Sequence, residues 1–160
     1  MAWILPQSDQ LEKLFSDLLG QKATVSLGQP LSWNSPDAFS GAVYGLEDGG
    51  FGAGAIYDVR FAAYMAAAIT VTAPCVAEDA ITTGVVNSYM CDALSEIMNV
   101  TAGLLNTTCP THLVLKEAYS DRRKVPDKVK TFFRDSSKDV GHWVVTVPRY
   151  GTGRLSVFRV

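Results

Sequence analysis

The sequence is poor in the residues that build metal and disulfide frameworks: it has two histidines and three cysteines, Cys75, Cys91 and Cys109. An odd, dispersed cysteine set argues against a disulfide scaffold, and it lacks the paired spacing of a zinc site. These thiols are expected to be free, buried or half-buried side chains in a reducing cytoplasm. A cationic leader is also missing. Met1-Ala2-Trp3-Ile4-Leu5-Pro6 carries no basic side chain, and its apolar run is too short for a signal peptide. No uninterrupted apolar run approaches the ~20 residues that span a bilayer. The longest candidate, residues 61–77, is broken by Thr70, Thr72 and Pro74 and reads as a core helix followed by a turn. Nor is there an excess of one charge. A net charge of −2 gives no global attraction to nucleic acid or anionic lipid, so electrostatic recognition must be local. What is present, 48% hydrophobic and 19% charged residues over 160 positions, fits a folded globular chain with one domain, 1–160.

The hydrophobic pattern changes period along the chain. Leu11, Leu14, Phe15, Leu18 and Leu19 lie on one face of a helix, which Ser8 or Asp9 can cap and Gly20 can end. Residues 23–27 alternate as a strand. Residues 38–46 and 51–57 flank Glu47-Asp48-Gly49-Gly50, a hairpin turn in which Gly supplies positive backbone angles. The second arm is rich in Gly and Ala, so another element is expected to pack close to it. Asp58 can cap a helix over 59–69, whose alanines permit close packing on a sheet. Residues 72–75 read as a turn, and a long helix is expected from about 82 to 106, stopped ahead of Pro110. A strand follows over 112–117. Residues 119–138 read as an extended loop or short amphipathic turn, and strands over 142–147 and 155–160 form a second hairpin. Helices beside hairpin-linked strands favour an α+β class with an antiparallel sheet.

The long helix carries the most informative side chains. A helix advances about 100° per residue. With Asp92 at zero, Glu96 falls near 40°, Asn99 near −20° and Gly103 near 20° by that geometry. Ser88, Ser95 and Asn106 flank this stripe, while Ala93, Leu94, Ile97, Met98, Val100, Leu104 and Leu105 fill the broad opposite face. A carboxylate and an amide three residues apart can act on one object. The carboxylate pairs with a cation or accepts a proton, and the amide offers a donor and an acceptor that can orient water. Gly103 removes side-chain bulk on the same face. Polar helix faces are commonly just solvated, so this spacing by itself is a weak indication.

The wider string Asp92-Ala-Leu-Ser-Glu96-Ile-Met-Asn99-Val-Thr-Ala-Gly103 resembles the signature helix of the CheC/CheX/FliY chemotaxis phosphatases. The preceding hairpin (41–57), the helix over 61–69 and the first helix (10–19) fall where CheX proteins carry theirs. The resemblance implies a CheC-like fold, an antiparallel sheet with helices packed on it. It implies a single active site of the CheX kind, because the first helix has Glu12 but Phe15 where a second motif would place Asn. The two-site branches also place a proline about where Arg122 stands here. The implied activity is removal of phosphate from the aspartate of a CheY-like receiver domain. Glu96 and Asn99 would then be the working residues, and Asp92 and Gly103 the partner-facing ones. The resemblance further implies a homodimer, no metal or cofactor of the chain's own, and Mg2+ only on the partner receiver. The alternative is a non-catalytic CheX-like receiver-binding module or a flagellar-switch-like interaction subunit.

Other features carry less. The basic residues of 122–130 could steer an acidic receiver but read more simply as a solvated loop. With Phe132-Phe133 beside them they do not make a nucleic-acid site in a net acidic chain. His112 and His142 each open an expected strand and have structural roles. Gly49-Gly50-Phe-Gly-Ala-Gly54 lacks the lysine and strand-to-helix context of a phosphate loop. Trp3, Trp33 and Trp143 are expected in the core or at an interface.

Overall fold

The computed structural model describes residues 4–135 and 139–160, so Trp3 lies outside the described residues. The first helix, α1 (Ser8–Leu19), ends at Gly20 with φ 67°. Its N-cap is Gln7, whose backbone N–H donates to Gln10 Oε1 at 2.8 Å, so neither Ser8 nor Asp9 takes that role. Strand β1 (Thr24–Leu27) follows, then β2 (Ala38–Leu46) and β3 (Phe51–Asp58), joined through Gly49 at φ 92°.

Asp58 caps α2 (Val59–Ile69): its Oδ1 accepts from the Phe61 N–H at 2.8 Å and from the Arg154 N–H at 3.0 Å. The expected turn over 72–75 is instead the start of a separate helix, α3 (Pro74–Thr83), with Pro74 in its first turn and Gly84 closing it at φ 70°. The long helix α4 (Ser88–Asn106) therefore begins later than the sequence predicts. Gly84 turns the chain, and Asn87 starts a new helix by accepting from the Met90 N–H at 2.9 Å.

Strand β4 (Leu113–Tyr119) leads into a single 3-10 turn, Arg122–Lys124, and then α5 (Asp127–Arg134). The expected loop over 119–138 thus contains strand, turn and helix. Val129 and Phe133, four apart, are the buried side chains of α5. The last hairpin is β5 (Asp139–Val147) with β6 (Gly151–Arg159), so His142 lies inside a strand rather than at its start.

All six strands form one antiparallel sheet in the order β1-β5-β6-β3-β2-β4. The larger core, built on Phe15, Tyr57, Phe61, Met65, Leu94 and Ile97, lies between one face and helices α1 to α4. The other face packs Trp33, Ile56, Phe133 and Phe158 under α5. Trp33 and Trp143 are both buried.

The alanines of α2 do permit close approach, but the receiving glycine is in β6. A Cβ on Gly153 would lie 2.3 Å from the Phe61 backbone. In β3, Gly52 and Gly54 make room for the side chains of Leu113 and Phe158 rather than for another backbone. No helix among the described residues is long and apolar enough to cross a membrane.

Candidate functional site

Helix α4 lies on the sheet with Met90, Ala93, Leu94, Ile97, Met98, Thr101, Ala102 and Leu105 buried. That apolar stripe leaves Asp92, Ser95, Glu96, Asn99 and Gly103 exposed together. The four residues singled out by sequence are thus brought to one outward face. A Cβ placed on Gly103 would meet nothing within 4 Å. The side chains of Asp92, Glu96 and Asn99 make no hydrogen bond or ion pair with another described residue, so their polar groups are available to a partner.

The helix is held along its length from beneath. At its start Asn87 caps it. In the middle the buried Tyr44 hydroxyl of β2 donates to the Met98 carbonyl at 2.7 Å, one residue before Asn99. Thr101 Oγ1 donates to the Ile97 carbonyl at 2.7 Å. Burial pushes the phenols of Tyr44 and its neighbour Tyr57 above their ordinary range, so both remain protonated and Tyr44 keeps the hydrogen it donates to Met98. At the far end the Asn106 side chain donates to the Leu113 carbonyl and accepts from the Leu113 N–H, each at 2.8 Å. Asn106 is thereby a splice between α4 and β4 and not a free member of the polar stripe. Such anchoring sets the rotation of a helix and so the direction in which Glu96 and Asn99 point.

One exposed residue was missed by the sequence reading. Tyr89 is 75% exposed, lies seven residues before Glu96 and falls at about 60° on the same wheel. The signal was the heptad step back from Glu96, obscured because an aromatic in an apolar helix is ordinarily assigned to the core.

The basic segment divides. Arg122 is not a solvated cation: its guanidinium donates to the carbonyls of Trp33, Ser35 and Ala38 at 2.8 to 2.9 Å and stacks 4.7 Å from the Trp33 ring. It pins the crossing between β1 and β2. Arg123 pairs with Asp121 at 2.6 Å, which holds that carboxyl below its usual range. Phe133 is fully buried and Phe132 packs on Phe51 and Phe158, so neither is offered to a base. No group of three His, Cys, Asp or Glu side chains able to hold a metal ion occurs among the described residues.

No protein-family profile matches the sequence, and no curated protein matches it. Solved structures do. A chain of the FliM–SpeE complex from H. pylori superposes with a TM-score of 0.67 at 10% identity, covering 95% of this chain and 80% of that one. A chain of the CheX–CheY–BeF3–Mg2+ complex from Borrelia burgdorferi gives 0.54 at 16% identity, covering 94% and 93%. Thermotoga maritima FliY gives 0.55 at 10% identity, covering 100% and 93%. The chain has the CheC-like fold. The sheet and helix arrangement expected from the signature string is the one found. At these identities the CheC-like architecture is shared with both the CheX and the FliM structures, and the site residues must speak for themselves.

Proposed function

We propose that this protein is a phosphatase for the phospho-aspartate of a CheY-like receiver domain, with Glu96 and Asn99 as its catalytic residues. The observation that carries the reading is an amide and a carboxylate, one helical turn apart, exposed and unengaged on the outward face of the anchored helix α4. A further support is the shared fold with a chain from a CheX–CheY complex.

An acyl phosphate is already labile, so acceleration needs mainly orientation and charge stabilisation. The Asn99 carbonyl oxygen accepts a hydrogen from water and fixes its lone pair toward phosphorus. Water oxygen then bonds to phosphorus as the phosphorus–oxygen bond to the aspartyl carboxylate breaks, leaving aspartate and inorganic phosphate. Glu96 pairs with the lysine of the receiver's active site and so sets the docking angle. Asp92 and Gly103 border the contact: one is a charged rim, the other gives clearance for the partner's backbone. The Mg2+ that a receiver carries belongs to the partner, and this chain is expected to work without a metal of its own.

The test is a phosphate-release time course over a panel of CheY-type receiver domains loaded with acetyl phosphate. The wild-type protein should shorten the lifetime of at least one. Asn99→Ala should return that receiver to its unaided rate with the fold intact by circular dichroism. Glu96→Ala should lower both affinity and turnover by about tenfold or more, the order found when one partner of an interfacial charge pair is removed. Near-normal activity of Asn99→Ala would reject the assignment.

A second reading, a non-catalytic interaction module, is favoured by the higher TM-score to the chain from the FliM–SpeE complex. Such a module would bind a receiver or other signalling partner without accelerating phosphate loss.

A further inference from the structure

One of the bonds that hold α4 bears directly on Asn99. The Tyr44 hydroxyl donates to the Met98 carbonyl at 2.7 Å, and that carbonyl belongs to the peptide unit whose nitrogen is the Asn99 N. A peptide unit is planar, so fixing its carbonyl end fixes the direction in which the chain enters Asn99. By helix geometry the Met98 carbonyl already has a donor in the ladder, the Ala102 N–H four residues on. Tyr44 is therefore a second donor, brought in from the sheet. Thr101 Oγ1 does the same to the preceding carbonyl, that of Ile97, at 2.7 Å. Hydroxyls added to ladder carbonyls in this way tend to bend a helix locally. Both fall in the turn that carries Asn99.

The sheet is irregular where it delivers this hydroxyl. On the β4 side, Val43 pairs with Glu117 and Tyr44 with Leu115, which passes over Lys116. On the β3 side, Tyr44 pairs with Ala53 and Gly45 with Phe51, which passes over Gly52. An extra residue in a ladder re-aims the side chains beside it, and such bulges concentrate next to active sites. Here two of them meet at Tyr44. Burial alone does not demand the contact with α4. Tyr57 is also fully buried in the same core, and its hydroxyl has no hydrogen-bond partner among the described residues.

We propose that Tyr44 is a positioning residue for Asn99: its hydroxyl, tethering the Met98 carbonyl to the sheet, holds the Asn99 amide where it can orient the attacking water. This rests on the phosphatase reading for the reaction that the tether serves. A working side chain must be held to about 0.5 Å, and a misplacement of about 1 Å costs on the order of a hundredfold in rate. Tyr44 is buried beneath the helix and touches neither receiver nor phosphate, so its loss acts on kcat. Glu96 precedes the tethered carbonyl and keeps its place, so docking, and with it KM, is unchanged.

The experiment measures receiver-phosphate release against receiver concentration for the wild type, Tyr44→Phe and Tyr57→Phe. It is paired with calorimetric binding of the beryllofluoride-activated receiver and with the NMR signals of the Asn99 side-chain amide. Tyr44→Phe deletes one hydroxyl and keeps the ring, so the core stays filled and the Met98 carbonyl keeps its ladder donor. Tyr57→Phe is the control, because it removes an equally buried phenol hydroxyl that does not bond to α4. Tyr44→Phe should lower kcat about tenfold, with KM and Kd within about twofold of wild type, and should displace the Asn99 amide signals. Tyr57→Phe should leave kcat and those signals unchanged. A kcat within about twofold of wild type in Tyr44→Phe overturns the proposal, as does an equal fall in Tyr57→Phe or a rise in KM at constant kcat. If the wild type accelerates phosphate loss from no receiver in the panel, the phosphatase reading falls and the amide signals alone decide the tether. Signals displaced in Tyr44→Phe and unmoved in Tyr57→Phe uphold it, and any other pattern overturns it.

Discussion

At the scale of single residues, the side chains that look functional by type are largely structural. His142 is an example. Its Nδ1 accepts from the Leu31 N–H at 3.1 Å and lies 2.5 Å from Ser156 Oγ, whose one hydrogen is shared between Nδ1 and the Leu31 carbonyl 2.9 Å away. A backbone N–H can only donate, so the neutral ring carries its hydrogen on Nε2. Burial first, and the charge of Arg154 second, lower the pKa below the ordinary histidine value. As pH falls, the unfolded chain takes up its proton before the folded one, so stability declines from near the ordinary value of about 6.5 downward through the folded pKa. The buried carboxyl of Asp58, whose pKa is raised chiefly by burial, acts with the opposite sign at more acid pH. The comparison that isolates His142 is urea unfolding of wild type and His142→Gln between pH 7 and pH 5. The wild type should lose stability over that range, and the variant should show a flatter profile. Equal slopes would remove His142 from the account.

At the scale of elements, legibility followed the strength of the local signal. The first helix, the 38–58 hairpin, the Asp58-capped helix and the polar face of α4 could all be read from periodicity and turn residues. Two helices could not. Helix α3 was hidden because Thr72-Ala-Pro-Cys75 resembles a turn, although Pro74 in the first turn and Gly84 past the end are the standard punctuation of a helix. Helix α5 is eight residues long and buries only Val129 and Phe133, too few to stand out in a charged stretch. Tyr89 was hidden for a related reason: an aromatic beside the core residue Met90 can face either way, and only tertiary packing decides which. The Asn106 splice was out of reach altogether, since it depends on where β4 returns.

Helix-on-sheet contact also yields a prediction at this scale. With a Cβ at Gly153 only 2.3 Å from the Phe61 N and Cα, Gly153→Ala must lift α2 from β6. Rigid backbone on the receiving side places the cost at the upper end of overpacking, about 3 kcal/mol or more. Urea midpoints for wild type and variant measure it, and a loss below about 1 kcal/mol would show that α2 is freer to move than its packing indicates.

At the scale of the whole molecule, the sheet is covered on both faces at its centre and open at its edges. Eight of the nine residues of β2 are buried, whereas β4 and the four-residue β1 present mostly exposed positions. Local opening is easiest where few apolar contacts must be broken. Amide exchange should accordingly be slowest in β2, β3 and β6 and markedly faster in β1 and β4. Exchange in β4 as slow as in β3 would show that this edge is covered in solution, as it would be in a homodimer joined there.

The strand order has one more implication, and it concerns synthesis. Gly151–Arg159, made at the end of the described chain, fills the gap between β5 and β3 in the middle of the sheet, and β1 waits for a partner about 120 residues downstream. Long-range pairing of this kind is slow to form and leaves strand edges open meanwhile. On the ribosome the nascent protein can assemble only half of this sheet, with the apolar edge of β3 unprotected until β6 clears the exit tunnel. That interval is when a holdase would find it.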